Sequence, residues 1–437
     1  MDVEKLLEKV YRENVFRDSI KKRILSDIGK FMRQLSASLK EKDVLAEVFL
    51  GGSSAKGTFL KGSFDSDIFV RFDYAKYSHL THRLSDILEP SINEVTSSKA
   101  KRIHGSRDYF QYCAKEYQKN IDFEIIPVLH IDDPTKALNV TDVSPLHVIW
   151  MESMLKDNHE MSKQIIITKL FLKSIRAYGA ESYIRGFSGH DVDILMAYYG
   201  SFLKLVNQAT GWNVKEVIDV EKHYSSKIDA LGKLNASKIS PLILIDPVQP
   251  ERNAAASLSL EKFQKFRQKC REFLKDPSED FFKEPEFSLE KLKQETGKEE
   301  KLVVFEVTPR EGKTDVVGSK ILKVFKQIKK FIKECHLEVG ASDWFWDKKT
   351  SAYLFYRISL DSLENMQKGK TFVRMGPPIG KKDDVKHFCA MHKDNFVLNG
   401  RVYANVERKY RSLGQCIKAI KNDRYILERV TLIKVIS

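Results

Sequence analysis

Cysteine is scarce. The five in 437 residues, Cys113, Cys270, Cys335, Cys389 and Cys416, are odd in number and never spaced Cys-x-x-Cys. That scatter argues against a disulfide framework or a thiolate zinc site and fits a reducing, cytoplasmic setting. Long apolar runs are missing too: none approaches the ~20 residues that span a bilayer. The N-terminal "MDVEKLLEKVYREN" reads as a charged amphipathic helix without the apolar centre of a signal peptide. Acidic residues are in deficit, 60 Asp and Glu against 74 Lys and Arg, for a formal net charge of +14. An excess of that size calls for a polyanionic partner, and without a membrane segment the partner is nucleic acid. Internal repeats and low-complexity tracts are absent, and the length suggests two to four domains.

What the chain does have is a folded composition, 42% hydrophobic and 31% charged. Residues 1 to about 45 carry apolar positions at helical spacing. Four β-like runs follow: "EVFLGG", "SDIFVRF", "DYFQYCA" and "NIDFEIIPVLHI". Residues 145 to 275 read as mostly helical, with "MSKQIIITKLFLKSIRAYG" and "DILMAYYGSFLKLVNQ" the strongest cases. A charged stretch with Pro277 and Pro285 reads as a linker. Beyond it, "KLVVFEV", a basic helix at 319–333, "AYLFYRISL" and "RVYANVERKY" read as a β-α-β-β unit.

The stretch "FLGGSSAKGTFLKGSFDSDIFVRF", residues 49–72, joins a glycine-serine turn to alternating aspartates inside an apolar run. Asp65 and Asp67 are two apart, so on a strand their carboxylates share a face. Held together they repel unless a cation lies between them, and oxygen ligands suit Mg²⁺. Asp122 and Glu124, also two apart, offer a second carboxylate strand, and a third carboxylate from such a strand completes a site for two metals that clamp a phosphoryl or nucleotidyl displacement. Gly51 and Gly52 let the backbone turn tightly against a ligand. Backbone N–H groups, Ser53 and Ser54 hydroxyls and the Lys56 ammonium can hold triphosphate oxygens. The spacing is not that of a Walker loop. A glycine turn alone is usually only a turn, and a lone Asp-x-Asp usually a solvated face. Their conjunction with a second carboxylate strand is what points to a site.

That conjunction resembles the nucleotidyltransferase superfamily of DNA polymerase β. "GSSAKGTFLKGSFDSDIFVRF", "SPLHVIWM", "AYGAESYIRGFSGH", "YYGSFL", "IDPVQPERNAAASLS", "DFFKEP" and "VRMGPP" resemble, in order, the archaeal class I CCA-adding enzymes. The resemblance implies an α+β, multidomain fold: a polymerase-β-like nucleotidyltransferase head with a mixed sheet at 1–143, a helical central domain at 144–276 and an α+β tRNA-binding region at 277–437. It implies CCA addition to the 3′ end of tRNA from CTP and ATP, without a template, in a homodimer. Asp65, Asp67 and Glu124 match the metal-binding carboxylates. Gly52, Ser53 and Lys56 match the triphosphate turn, and His147, Lys169 and Tyr178 match further nucleotide contacts. Arg252 and Asn253 fall in the block at the nucleobase end. Two positions depart from the family: Glu124 stands where Asp is common, so that Asp122 competes for the role, and Lys56 stands where Arg is common, giving a point charge instead of a fork.

Several of these positions also read on their own. Lys169, Lys173 and Arg176 form a basic stripe at helical spacing, His147 lies at a helix start, and Tyr178 reads as a helix end before a Gly179 cap. In the C-terminal third, Ile321, Leu322, Phe325, Ile328 and Ile332 point a helix toward a core with lysines around them. "RMGPPIGKK" and "NVERKYR" then offer Arg374, Lys381, Lys382, Arg408 and Lys409 to an RNA duplex, which is read mainly through phosphates and 2′-hydroxyls. Three rivals stay open: a poly(A) polymerase, a 2′-5′ oligoadenylate-type synthetase and a non-catalytic RNA-binding module.

Overall fold

The computed structural model describes residues 2–61, 65–115, 121–158 and 160–437, so residues 62–64 of the connection between the glycine turn and the aspartates lie outside it. The chain divides into two compact units, Met1–Pro285 and Glu286–Ser437.

In the first unit a five-stranded mixed sheet has the order β1-β2-β5-β4-β3. Its strands are β1 (Ala46–Leu50), β2 (Asp65–Phe72), β3 (Lys101–Ile103), β4 (Tyr109–Ala114) and β5 (Ile121–Leu129). The central pair β2 and β5 runs parallel, and the other pairs are antiparallel. Alternation decides the faces. Ile68, Val70 and Phe72 of β2 pack with Phe123 and Ile125 of β5 against the helices Asp18–Glu41 and Leu84–Val95. The first of these helices buries Ile24, Ile28, Phe31, Leu35 and Leu39, the three-and-four spacing of one stripe. Asp65, Asp67 and Phe69 therefore occupy the opposite face, where Phe69 meets Val128 and Val148.

A second core is helical. It joins the helices Met161–Ser174, Gly189–Tyr199, Phe202–Ala209 and Leu260–Lys275. The N-terminal helix Val3–Asn14, placed with the catalytic domain by the sequence, sends Leu6, Leu7 and Val10 into this helical core instead. Two short strands, β6 (Glu216–Ile218) and β7 (Leu242–Leu244), pair in parallel beside it. Residues 277–285, expected at the head of the C-terminal region, remain with the first unit. Phe281 and Phe282 ring Phe171 with Phe273 and Phe202, and Phe171 and Phe281 stack at 6.2 Å. Burying a side chain such as Phe282 is worth roughly 1.5–3 kcal/mol, enough to fix a short segment.

The second unit holds a four-stranded antiparallel sheet, order β14-β8-β10-β9. It comprises β8 (Glu300–Pro309), β9 (Val339–Trp346), β10 (Ala352–Ser359) and β14 (Val430–Val435). The helix Thr314–Glu334 covers it with Ile321, Val324, Ile328 and Ile332 fully buried; Phe325 packs at the edge and Leu322 is only half-buried. The expected β-α-β-β unit is divided. "RVYANVERKY", expected as the third strand of that unit, does not join this sheet but forms β13 (Arg401–Glu407) of a separate three-stranded sheet, between β11 (Thr371–Pro378) and β12 (Asn395–Leu398). Strand neighbours are chosen by long-range pairing, which local composition does not record.

Candidate active site

The parallel register sets the carboxylates. Asp65 lies opposite Asp122 and Asp67 opposite Glu124. Of these four acids, Asp65, Asp67 and Glu124 line one cavity of about 370 Å³, while Asp122 is exposed and outside the lining. Glu124 Oε1 accepts a 2.8 Å hydrogen bond from Gln111 Nε2, directly across on β4. The same cavity collects Gly52, Ser53, Lys56, Thr58, Lys169, Lys173, Tyr178 and His190.

The turn is built onto the strand it serves. Gly51 N–H donates to the Asp67 carbonyl at 2.8 Å, and a short helical turn, Gly52–Ala55, follows. Gly52 has φ +58°, in the left-handed region that favours glycine. A Cβ there would overlap Asp67 Oδ2 and stand 2.8 Å from its Cγ. Gly52→Ala is expected to lower turnover by about 10²-fold, because catalytic geometry tolerates little displacement. Turnover at saturating CTP and metal, read beside a melting curve, checks it; a rate within threefold of wild type contradicts the contact.

Electrostatics mark Asp67 as the strained member. Burial, then the charges of Glu124 and Asp65, push its carboxyl up to about 7, with Lys56 and Lys169 pulling the other way. Lys169 is 4% exposed and donates to Thr58 O and Oγ1, both at 3.1 Å. Burial pushes its ammonium down to about 8, opposed by Asp193. Lys56 pairs with Asp193, which is 1% exposed and whose second oxygen has no partner among the described residues. An acidic, oxygen-only set beside two cations, with one carboxylate unfavourably ionised, fits a hard divalent cation on the acids and a polyanion on the lysines.

The remaining positions expected to contact the nucleotide separate. Tyr178 lines the cavity but does not end a helix. The helix Met161–Ser174 closes earlier, with Arg176 at φ +53° and hydrogen bonds from Arg176 N to Lys173 O and from Ala177 N to Leu172 O. Arg176 thus leaves the basic stripe, and Tyr178 sits in an extended segment bridged to Phe187. Burial, then Asp193, raises its hydroxyl pKa. His147 and Arg252 stand off the lining, both bonded to Asp246. Asn253 is not brought to the cavity. Its amide accepts from Leu244 N and Ala255 N and donates to Lys238 O and Ser240 Oγ, so it pins a loop. Sequence reasoning passed over Asp193, His190 and Asp246. Asp193 opens the apolar run "DILMAYY" and Asp246 ends "LILI", the same signal of an acid in an apolar run that exposed Asp67.

In the second unit Arg374 and Arg408 both bear on His336: burial, then Arg408 and Arg374, push its imidazole down. Arg408 also lies over the Phe372 ring at 5.8 Å. Lys381 and Lys382 open the helix Lys382–Met391, and Lys409 covers Tyr410 at 5.3 Å.

A carboxylate trio on adjacent strands, facing a glycine turn and two lysines, is the arrangement of a nucleotidyltransferase, and residues 32–125 match the nucleotidyltransferase domain family. Residues 163–283 match the second domain of tRNA nucleotidyltransferases, and residues 301–425 match the CCA-adding enzyme C-terminal domain. Among curated proteins the chain is 33% identical to the CCA-adding enzyme of Nanoarchaeum equitans over 85% of this chain and 86% of that one. It is 30% identical to that of Pyrobaculum neutrophilum (96% and 94% covered) and 29% identical to that of Methanocaldococcus jannaschii (90% and 84%). The chain belongs to the CCA-adding enzyme family.

Proposed function

We propose that the chain adds cytidine, cytidine and adenosine to the 3′ end of tRNA from CTP and ATP, without a template, releasing pyrophosphate. The observation that carries the reading is the gathering of Asp65, Asp67 and Glu124 in one cavity with Gly52, Ser53, Lys56, Lys169 and Tyr178. The three acids would hold Mg²⁺, which supplies charge neutralisation at the triphosphate and activation of the attacking ribose hydroxyl. Lys56 and Lys169 neutralise the phosphates, and buried Lys169 gains charge as anionic oxygens approach. Gly52 and Ser53 let the backbone and a hydroxyl close on the same oxygens. Positioning and electrostatics then account for most of the rate. Arg374, Lys381, Lys382, Arg408 and Lys409 of the second unit hold the acceptor and T stem by its phosphates, and two copies of the chain act as a homodimer. No helix among the described residues is long and apolar enough to cross a membrane.

The deciding assay offers full-length protein a tRNA lacking its CCA end with labelled CTP and ATP, separately and together. Two C additions with CTP alone, and A only after them, support the reading. ATP polymerised on unstructured RNA, or primer-independent short oligonucleotides, would replace it with one of the rivals. The division of labour is tested by ending the chain after Pro285, where the first compact unit ends. That fragment is expected to bind CTP with Mg²⁺ yet lose most tRNA affinity. In the full chain the slope of log affinity against log salt should fall by roughly one unit per phosphate-contacting residue removed. Near-full tRNA affinity and an unchanged slope in the fragment would move the RNA site to the first unit.

A further inference from the structure

Lys56 is held from two sides by the helical core. Its carbonyl accepts a hydrogen bond from Ser162 Oγ at 3.5 Å, on the helix Met161–Ser174. Its ammonium pairs with Asp193, on the helix Gly189–Tyr199, and Asp193 is its one ion-pair partner among the described residues. The Lys56 side chain is 11% exposed and that of Asp193 1%. Lys56 lines the nucleotide cavity, as do Gly189 and His190 at the start of the same helix, whereas Asp193 lies behind the lining.

Another buried ion pair of the same unit shows what a structural brace requires. Asp142 accepts from Leu129 N and Arg107 Nη1 on one oxygen. On the other it accepts from Leu138 N, Asn139 N and Arg107 Nη2, so both oxygens are satisfied. Asp193 has Lys56 on one oxygen, and its other oxygen has no hydrogen-bond partner among the described residues. A buried carboxylate left so bare is costly, because one ammonium alone offsets its desolvation. The pair is a poor brace but a good mount: an ammonium carries three donors, and those that Asp193 does not take are left for the cavity. Asp193 also opposes the loss of charge that burial imposes on Lys169.

We infer that Asp193 is a positioning residue that anchors the Lys56 ammonium to the helix Gly189–Tyr199 and aims its free donors at the two phosphates that leave as pyrophosphate. The inference deepens the proposed CCA addition and rests on it. Asp65, Asp67 and Glu124 are the candidates to hold the reacting phosphate through metal, which leaves the lysines on the turn side for the other two. A lysine stem is flexible, so its ammonium serves as a fixed contact only where something holds it. A cation fixed beforehand at a departing anion stabilises the charge as it develops, without reorganisation.

The test uses the full-length chain with Mg²⁺ and two probes, inorganic pyrophosphate and cytidine, beside KM for CTP on a tRNA lacking CCA. Asp193→Asn is expected to weaken pyrophosphate binding, read by calorimetry, and to raise KM for CTP, each by about tenfold. Inhibition by cytidine, which has no phosphate, should stay within about twofold, whereas a merely structural role would move all three together. Asp193→Glu, which keeps the charge, should recover most of the pyrophosphate affinity. If Asp193→Asn does not fold, Lys56→Gln and the double variant decide, since removing both partners leaves neither charge buried and unpaired. Those two should bind pyrophosphate within about threefold of each other, because the carboxylate acts through the ammonium. Unchanged pyrophosphate affinity in folded Asp193→Asn, an equal loss for cytidine, or losses that multiply in the double variant would overturn the inference. A wild-type chain that binds pyrophosphate but adds no CCA would defeat the functional reading instead.

Discussion

Asp67→Asn will lower nucleotide addition by at least about 10³-fold at saturating Mg²⁺ while leaving tRNA affinity within twofold, and will at the same time stabilise the metal-free protein. The first effect follows from replacing a charged oxygen at the centre of the cavity, where electrostatic stabilisation is ordinarily the largest contribution. On the proposed division of labour the second unit carries the affinity for tRNA, so that affinity should not change. The stabilisation follows from the raised pKa. Asp67 sits near 7 in the folded chain against about 3.9 for a free aspartate. Between those values the folded state holds a proton that the unfolded chain has released. Stability is therefore fully present below about pH 4 and is lost as pH rises through 7. Asparagine carries no such penalty, so its advantage in melting temperature should grow from pH 5 to pH 8 without metal and shrink when Mg²⁺ is added. Retention of more than a tenth of wild-type turnover would remove Asp67 from the ligand set. A melting difference that does not vary with pH would assign the raised pKa to another group.

Glu124→Gln is expected to cost on the order of 10²–10³ in turnover, and Asp122→Asn no more than about threefold. The two acids share a face of β5, and spacing alone does not choose between them. Register does: Glu124 stands beside Asp67, whereas Asp122 stands beside Asp65 with its side chain in solvent. Gln111 holds Glu124 Oε1 from the neighbouring strand, which offsets the extra torsion that glutamate brings. Comparable losses in the two variants, measured as turnover across a metal titration, would mean that the pair shares one cation.

The carboxylates were legible because two physical constraints coincide in them. An apolar strand rejects charge, so Asp67 between Ser66 and Ile68 has to be there for a reason, and a period of two puts Asp65 beside it. The glycine turn was legible because the left-handed conformation at Gly52 has few residue solutions. Tyr178 was misplaced because an arginine, not the nearby glycine, adopts the helix-ending conformation. Asn253 lies off the cavity with its amide serving a local loop, and sequence does not distinguish an amide aimed at a ligand from one aimed at the backbone. The N-terminal helix packs on the helical core and β13 leaves the expected sheet through contacts between residues far apart in the chain.

The absence of a side chain at Gly52 also has a meaning in descent. Its missing Cβ is the space that Asp67 occupies, and Gly51 fastens the turn to the carbonyl of that same aspartate. A lineage that gains a methyl group at position 52 displaces the carboxylate, and one that shortens or withdraws the carboxylate to make room gives up the proposed metal ligand. Each single step is expected to lower turnover. The turn and the acid are thus inherited as one character, and a duplicate of this gene freed from selection should decay at both positions together or keep both.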